Sequence, residues 1–370
     1  MQTDLFRDGT ARTVVAALLS AAAIFLLPLA VFGGKGTAPR EPDGPLLPPV
    51  PSTVGTKNPV RETGEQQAAE APSGEDAARL VKLKLEDGEI VELTMAEYLW
   101  GVVAAEMPAS FELEALKAQT TAARTYTLWK ALHNKAHPQA NVCTAYTCCQ
   151  AWITREEALE KWGGEGTEYA AKLDKALRET DGVVLYYDSQ PIQAAFHASS
   201  AGRTQDAVAV WGSTVPYLAS VATPEGEEAP NYRTTAVLTA EQVRAALEPL
   251  GCKLEEEKPE EWLKELEYSE SGGLLSAQVG GVALRGNELR TALGLRSPSF
   301  TVEYGTEGFT FHVTGYGHGV GLSQYGANAL AKQGKGWREI LSWYYTGVEF
   351  GTYDGVTPAG QEDPPPSDGG

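Results

Sequence analysis

The residue best suited to chemistry in this sequence is Glu106, which directly follows an almost wholly apolar stretch, Leu99–Ala105. A carboxyl group at the mouth of an apolar helix loses part of its hydration. Desolvation disfavours the charged form and raises the pKa, which suits a general acid. Considered alone, the same residue could equally be a capped, salt-bridged acid at the surface.

Two helices joined by a proline turn are predicted to position Glu106. Thr94 and Glu97 have the spacing of a capping box at the start of the first helix. Pro108 disfavours helical backbone in the residue before it and so ends this helix soon after Glu106. Ser110 is predicted to cap the second helix.

A hairpin and a polar helix surface are predicted on either side of this joint. An alternating pattern around the Asp87-Gly88 turn predicts a β-hairpin over residues 79–93, directly before the first helix. On the second helix, Lys117, Gln119 and Arg124 are polar residues that could line a groove. The alternative is that they are ordinary exposed helix residues.

One histidine and three cysteines lie close together after the second helix: His137, Cys143, Cys148 and Cys149. Imidazole and thiolate groups are ligands suited to zinc. If one of the adjacent cysteines is idle, three ligands are obvious. The fourth position could then be Cys148, water or an acid from elsewhere. A disulfide between Cys143 and Cys149 is the alternative.

A glycine-rich segment begins at Gly315 and carries His318, Ser323 and Gln324. Four glycines within seven residues indicate sharp turns and close approach of the backbone. A helix is predicted to begin near Ser323, and amides before its N-terminus could hold an anion. No Lys-Ser/Thr pair follows, which argues against a nucleotide loop. The segment is therefore predicted to carry its polar side chains to a groove.

The rest of the pattern mixes helices and strands. Helical segments are predicted at 155–180, 238–250 and 259–266, and strands at 183–187, 193–197 and between 282 and 313. His197 falls in one of these strands, where a histidine is more often a hydrogen-bonded core residue than a catalyst. Ser200 follows it in a polar turn.

The composition limits the classes of partner. The net charge of −19 argues against nucleic acid and against anionic membrane surfaces as partners. The acidic runs Glu225–Glu228 and Leu254–Glu267 are predicted to be solvated faces. With 42% hydrophobic residues, the folded part can bury a sizeable core.

The chain is predicted to divide into five regions. Residues 13–32 form a run of 20 residues without a charge, long enough to span a bilayer. Arg7 and Arg12 precede it, so residues 1–12 are predicted to stay cytoplasmic and the remainder to lie outside. A cleaved signal peptide is the alternative. Residues 33–78 are a predicted disordered linker, 79–352 the folded domain and 353–370 a disordered tail.

Several long stretches resemble the family of stage II sporulation protein D, which is shared with the amidase-enhancer proteins. They include VVAAEMPASFELEALKAQTTAARTYT, CQAW, FHASSAGRT and GYGHGVGLSQYGANALAKQGKGWREILSWYYTGVEF. Together they span about residues 80–351, in the family's order and behind a similar anchor and linker. The resemblance implies an α+β fold, with the helix pair that carries the catalytic acid packed on mixed or antiparallel β structure.

The resemblance also implies an activity and a setting. It implies a lytic transglycosylase that cuts peptidoglycan glycan strands and leaves 1,6-anhydro-N-acetylmuramic acid ends. Glu106 matches the family's catalytic acid, and His137, Cys143 and Cys149 match a zinc site of some members, which would be structural. The implied partners are a membrane-anchored amidase and a membrane scaffold of the engulfment machinery, with peptide-stripped strands as substrate. The domain would face the space outside the mother-cell membrane.

The sugar must be held in a distorted pose for this reaction. The candidates for this role are Lys117, Gln119, Arg124, His197, Ser200, His318, Ser323 and Gln324. Three other functions are compatible with the sequence. One is a non-enzymatic, glycan-binding enhancer of an amidase. Another is a zinc hydrolase in which Glu106 activates metal-bound water. The third is a nucleophilic enzyme that uses Cys149 and His197.

Overall fold

The computed structural model of the protein describes residues 74–133 and 136–356. Within these ranges, no helix combines the length and the apolar character needed to cross a membrane. The predicted membrane segment 13–32 lies outside the described residues, as do residues 33–73 of the predicted linker and 357–370 of the predicted tail. These assignments therefore stay predictions.

The described residues form a mixed α+β fold, which confirms the fold class. The helices are α1 (Met95–Glu106), α2 (Leu113–His133), α3 (Arg155–Trp162), α4 (Gly166–Arg178), α5 (Ala207–Trp211), α6 (Ala240–Leu247), α7 (Gly286–Ala292), α8 (Gln324–Lys332) and α9 (Trp337–Tyr344). The strands are β1 (Leu80–Lys84), β2 (Ile90–Thr94), β3 (Val142–Cys143), β4 (Val184–Tyr187), β5 (Gln190–Pro191), β6 (Phe196–His197), β7 (Arg233–Leu238), β8 (Leu263–Tyr268), β9 (Leu274–Val279), β10 (Val282–Arg285), β11 (Phe300–Gly305), β12 (Gly308–Thr314), β13 (Leu322–Ser323), β14 (Glu349–Thr352) and β15 (Gly355–Val356).

The first hydrophobic core is built around α2. This helix packs against α1, α4, α8, α9 and β4, and every residue from 115 to 125 is buried. Small side chains such as Ala115, Ala118 and Ala122 let the neighbouring elements approach on all sides. The helix is therefore the centre of the domain, and its polar residues lie inside the protein.

Three small sheets surround this core. The predicted hairpin is confirmed, with β1 and β2 paired antiparallel from Leu80↔Thr94 to Lys84↔Ile90. Strand β3 adds to β1 in parallel, which brings the cysteine segment beside the hairpin. Strands β15, β14, β4 and β5 form a second sheet, and the short strands β6 and β13 pair in parallel as the third.

A second hydrophobic core lies in the segment between Tyr232 and Gly315. It contains two antiparallel sheets, β10-β9-β8 and β11-β12-β7, together with α6 and α7. The Gly315 N–H donates to the Tyr232 carbonyl oxygen at 2.8 Å, which closes this segment at its base. The helix predicted over 259–266 is only partly right. Pro259–Glu261 form a short 3₁₀ helix. From Leu263 onward the chain is strand β8, because pairing with β9 and burial of Leu263 in this core override the local helical character.

The folded region extends beyond the predicted boundaries 79 and 352. Asp76 is buried and its carboxylate accepts hydrogen bonds from the Arg124 guanidinium and from Tyr353 Oη. The Gly182 N–H also donates to it, at 3.3 Å. Residues that were assigned to the linker and the tail are therefore parts of the domain.

Candidate active site

Glu106 is the last residue of α1, and both ends of that helix have a local cause. The predicted capping box is confirmed, because the Glu97 N–H donates to Thr94 Oγ1 and the Thr94 N–H donates to the Glu97 carboxylate. At the other end Pro108 forces Met107 into an extended conformation, with φ −124° and ψ 137°. The chain therefore leaves the helix immediately after Glu106.

The turn that follows differs from the prediction. Ser110 does not cap the second helix, because residues 108–111 form a tight turn before it, in which the Phe111 N–H donates to the Pro108 carbonyl oxygen. Helix α2 begins at Leu113 instead, and the Glu112 carbonyl oxygen accepts its first backbone hydrogen bonds. The Glu112 N–H is satisfied by Asn328 of α8 at 2.8 Å, which ties the turn to the glycine-rich segment.

The environment of Glu106 favours a protonated carboxyl group near neutral pH. Burial raises the pKa of Glu106 to about 7, against the opposing effects of the Ala151 N–H and the Gln324 amide. The Ala151 N–H donates to Glu106 Oε1 at 2.7 Å. The carboxyl group also stands at the C-terminal end of α1, where the helix dipole disfavours negative charge. The side chain is half-buried, so it still has surface for a substrate to reach.

Glu106 lies on the wall of a small, partly open cleft. Five separate parts of the chain meet there, at residues 105–108, 198–199, 230, 296 and 316–325. The lining residues are Ala105, Glu106, Pro108, Ala198, Ser199, Pro230, Arg296, Tyr316, Gln324 and Tyr325. Glu106 is the only carboxylic acid among them. The acid and the glycine-rich segment therefore share one cleft.

The glycines bring the glycine-rich segment into contact with the turn after β6. Gly317 and Gly321 both have positive φ, at 103° and 74°. A Cβ atom on Gly317 would lie 2.7 Å from the Cβ of His197, and one on Gly321 would lie 2.1 Å from the Ala195 carbonyl oxygen. Only glycine fits these positions. This close approach places Tyr316 and Gln324 on the wall of the cleft.

His197 and His318 lie behind the cleft wall rather than on it. His197 is buried, with Nε2 2.6 Å from Ser200 Oγ and Nδ1 3.2 Å from the Val320 carbonyl oxygen. His318 Nδ1 accepts from the Val320 N–H at 3.0 Å. Burial lowers the pKa of His318 to about 4 and the pKa of His197 well below its usual range. Both imidazoles are therefore neutral at physiological pH and fix the two loops together.

The run Glu225–Glu228, which was predicted to be a solvated face, is solvated only in part. Glu227 and Glu228 are exposed, but Glu225 is a buried carboxylate beneath the cleft. Glu225 is only 1% exposed. Its Oε1 accepts from the Ser200 N–H and from Ser323 Oγ, both at 2.7 Å, and its Oε2 accepts from Thr223 Oγ1. Ser323 also accepts from the Gly326 N–H and caps α8. Ser200 and Ser323 thus hold the site together from below.

The three polar residues predicted on the second helix do not meet at the cleft. Lys117 is held between Glu114 and Glu179. Arg124 is fully buried and paired with Asp76, so the groove contact predicted for it is replaced by an ion pair in the core. Gln119 is also fully buried, and its amide has no hydrogen-bond partner among the described residues. These three outcomes have one cause: α2 lies at the centre of the domain, so its polar residues are buried.

Three residues of the cleft were missed by the sequence analysis. Arg296 lies on the wall and stacks on Tyr316, with its guanidinium carbon 4.0 Å from the ring centroid. Tyr325 follows Gln324 at the start of α8. Tyr316 and Tyr325 lie within the glycine-rich segment, close to the predicted residues His318 and Gln324. Their position in this motif could have identified them. Arg296 comes from the chain segment that contains the second core, and no local pattern marks it.

The predicted metal ligands do come together. His137, Cys143, Cys148 and Cys149 each offer a ligand atom, and these four atoms lie within 4.8 Å of one another. Cys148 Sγ and Cys149 Sγ are 3.8 Å apart, and none of the three cysteines forms a disulfide. Ligands about 2.3 Å from a tetrahedral zinc ion are separated by about 3.8 Å. The donors therefore fit zinc with Cys148 as the fourth ligand.

Comparison with known proteins covers this same region. The family model described as "SpoIID: Stage II sporulation protein" matches residues 86–187, which include Glu106 and the four metal-ligand candidates. The chain is 36% identical over 272 residues to stage II sporulation protein D of Bacillus subtilis (strain 168), covering 72% of this chain and 76% of that protein. It is 33% identical over 304 residues to the protein of the same name from Bacillus amyloliquefaciens, covering 81% and 85%.

A second type of relative is also found. The amidase enhancer of Bacillus subtilis (strain 168) is 28% identical over 313 residues, which cover 69% of this chain and 40% of that protein. The similarity to proteins of both names extends over most of the present chain.

Proposed function

The chain belongs to the stage II sporulation protein D family, and from this premise we propose that it is a lytic transglycosylase acting on peptidoglycan glycan strands. The observation that carries the proposal is that the cleft is lined by a single carboxylic acid, Glu106. Hydrolytic glycosidases usually need two carboxylates, one of them to attack or to activate water. A reaction in which the sugar attacks itself needs only one.

In the first step, protonated Glu106 gives its proton to the glycosidic oxygen. The bond between that oxygen and the anomeric carbon of N-acetylmuramic acid breaks, and its electron pair leaves with the oxygen. A pKa of about 7 keeps a large fraction of Glu106 protonated near neutral pH. The Ala151 N–H binds Oε1 and so orients the carboxyl group without using its proton.

In the second step, the 6-hydroxyl of the same sugar attacks the positively charged anomeric carbon. Its proton passes to the Glu106 carboxylate, which restores the acid and leaves a 1,6-anhydro end. Between the two steps the Ala151 N–H stabilises the carboxylate by its hydrogen bond to Oε1, and the nearby Gln324 amide also lowers the pKa of Glu106. One acid–base residue of this kind contributes roughly 10²–10⁴-fold to the rate. Positioning of the sugar by the cleft supplies the remainder.

The metal group has a structural role in this proposal. His137, Cys143, Cys148 and Cys149 would hold a zinc ion through a complete set of four protein ligands. Structural zinc sites are closed in this way, whereas catalytic sites keep one position open for water. The ion would fix the loop between α2 and α3, from which the Ala151 N–H reaches Glu106. This argument disfavours the zinc-hydrolase alternative.

The setting of the reaction is also a proposal, supported by the names of the relatives and by the apolar segment 13–32. The protein would be anchored in the mother-cell membrane during sporulation, with residues 1–12 in the cytoplasm and the domain outside it. Its substrate would be glycan strands from which an amidase has removed the peptides. A membrane-anchored amidase and a membrane scaffold of the engulfment machinery would be its partners.

Mass spectrometry of the products tests the activity. Purified protein incubated with peptide-free glycan strands should release fragments that end in 1,6-anhydro-N-acetylmuramic acid. Glu106→Gln should release none while its circular dichroism spectrum stays unchanged. Products with reducing ends would instead indicate hydrolysis, and an active Glu106→Gln variant would remove the residue from the mechanism.

A second candidate function is stimulation of an amidase without cleavage of the glycan. The similarity to a protein named amidase enhancer favours it. Under this alternative the purified protein alone releases nothing from glycan strands, but it accelerates peptide release by a partner amidase. The Glu106→Gln variant would then stimulate the amidase as well as the wild-type protein does.

A further inference from the structure

Arg296 is a cation on the cleft wall, and no carboxylate among the described residues pairs with it. It forms no salt bridge with any residue in the described ranges, and its Nε has no hydrogen-bond partner there. The chain contains 49 acidic residues against 30 Lys and Arg, so carboxylates are abundant. Arg124 and Arg155, for comparison, each pair with an aspartate. An arginine with this environment, on the same cleft wall as the proposed catalytic acid, offers a position where an anionic group of a substrate could bind.

The guanidinium group of Arg296 is held in a defined plane. It lies over the Tyr316 ring, which leaves its N–H donors at the edge of the stacked pair. A planar fork of this kind matches a carboxylate, which can accept two parallel hydrogen bonds. The anion that fits this edge is accordingly a carboxylate on the substrate.

A second arginine strengthens the positive potential at this position. Arg290 Nε donates to the carbonyl oxygen of Arg296 at 3.1 Å, and its Nη1 donates to Asn287. Burial lowers the pKa of both arginines, because it removes water from their charged groups. An anion that enters the cleft would compensate these charges.

We propose that Arg296 recognises the free lactyl carboxylate of an N-acetylmuramic acid residue from which the stem peptide has been removed. This inference rests on the proposed function. In a strand that still carries peptides, the lactyl carboxyl group is part of an amide bond and has no charge. N-acetylglucosamine carries no such group at all. Arg296 thereby makes the cleft selective for stripped strands and sets the register of cleavage.

The test compares two forms of one substrate. Peptide-free strands are used with their lactyl carboxylates intact, or after coupling to methylamine, which removes the charge and keeps the sugars. We expect the wild-type kcat/KM to be about 10- to 100-fold higher on the intact strands, the size of one charge-assisted interaction. Arg296→Gln should lose this preference, and Arg296→Lys should retain part of it.

A control variant and a binding measurement complete the design. Arg338 also stacks its guanidinium on an aromatic ring, that of Trp337, but does not line the cleft. Arg338→Gln should keep the full preference for intact strands. Binding is measured separately with Glu106→Gln protein, because affinity for the two forms does not depend on turnover.

The two proposals fail in different ways. If Arg296→Gln discriminates between the strands as the wild-type protein does, or if the wild-type protein does not discriminate, the role of Arg296 is disproved. If Glu106→Gln protein prefers intact strands but the wild-type protein forms no anhydro ends, the proposed chemistry fails and carboxylate recognition stands. Absence of binding to both forms would overturn the inference about Arg296.

Discussion

The chemistry of single residues in this site depends on the cost of ionising Glu106. The group is enclosed by protein, stands at the negative end of α1, and has one strong backbone donor in Ala151. These features place its pKa at about 7. A residue that must first donate and then accept a proton performs best when its pKa is close to the working pH.

This pKa predicts the pH dependence of the reaction. The free enzyme must carry the proton, so kcat/KM should fall above pH 7 and approach a tenfold loss per pH unit. Gln324→Leu removes an amide that stabilises the carboxylate. In this variant the pKa of Glu106 should rise, so the alkaline limb of the pH profile should move to higher pH. Initial rates of anhydro-product release between pH 5 and 9 measure the alkaline limb of the wild-type protein and that of the variant. A limb near pH 4.5 in the wild-type protein would contradict the prediction.

The same pKa predicts a change in stability. The native state binds the Glu106 proton more tightly than the unfolded chain does, because a glutamate in the unfolded chain has the ordinary pKa of about 4.5. Below that pH the difference in pKa does not change the free energy of unfolding. As the pH rises, it lowers the free energy of unfolding, and the full effect is reached above about pH 7. Glu106→Gln removes it, so at pH 8 this variant should be more stable by roughly 2–3 kcal/mol.

Urea unfolding at two pH values checks this stability effect. At pH 4 the free energy of unfolding of the variant should match that of the wild-type protein, and at pH 8 it should exceed it. A variant that is equally stable or less stable at pH 8 would show that the carboxyl group is not destabilised by burial.

Single residues also show how much of the site could be predicted from the sequence. Glu106 was identifiable because the apolar stretch that buries it directly precedes it. Glu225 was not, because the groups that bury it lie on segments that are far apart in the chain, at Ser200 and Ser323. An acidic run has the same local appearance whether or not another segment covers one of its members.

At the scale of elements, Glu225 joins the turn after β6 to the start of α8. Glu225→Ala should lower the free energy of unfolding by about 2–4 kcal/mol, because buried donors on both elements lose their acceptor. Glu227→Ala is the matched control, since Glu227 pairs with Arg233 at the surface. The control should change stability by less than about 1 kcal/mol. Denaturant unfolding of both variants compares them, and equal effects would argue against the proposed junction.

The metal loop is the second element whose stability can be predicted. Protein purified with zinc should contain about one ion per chain, and removal of the ion by a chelator should lower the melting temperature. Cys148→Ala should reduce the zinc content, whereas Cys252→Ala should not, because Cys252 lies in the second core. Metal analysis by mass spectrometry gives the result directly. Zinc content that is unchanged in Cys148→Ala would exclude Cys148 as a ligand.

Elements were predictable where their signals are local. The capping box of α1 and the hairpin of β1 and β2 both involve residues that are close in the sequence, and both are confirmed. Strand β8 was missed because its hydrogen bonds go to β9 and its buried residues face the second core. The start of α2 was misplaced because Asn328, more than 200 residues away, completes that turn.

At the scale of the whole domain, Asp76 connects the beginning and the end of the described fold. Its carboxylate pairs with Arg124 of the central helix and accepts from Tyr353 near the last strands. The Arg124 side chain is fully buried, so removal of Asp76 would leave its charge without the carboxylate to which it is hydrogen-bonded. Removal of one partner of a buried ion pair typically costs about 3–5 kcal/mol.

Asp76→Ala is therefore expected to be strongly destabilising, with a loss of about 3–5 kcal/mol in urea unfolding. Asp354→Ala is the control, because Asp354 is 90% exposed and pairs with Arg79 at the surface. A chain that spans residues 79–352 lacks both Asp76 and Tyr353 and should be at least as unstable as Asp76→Ala. A chain that spans 74–356 keeps both and should unfold cooperatively. Equal stability of the two truncated chains would show that this cluster does not hold the two ends of the domain together.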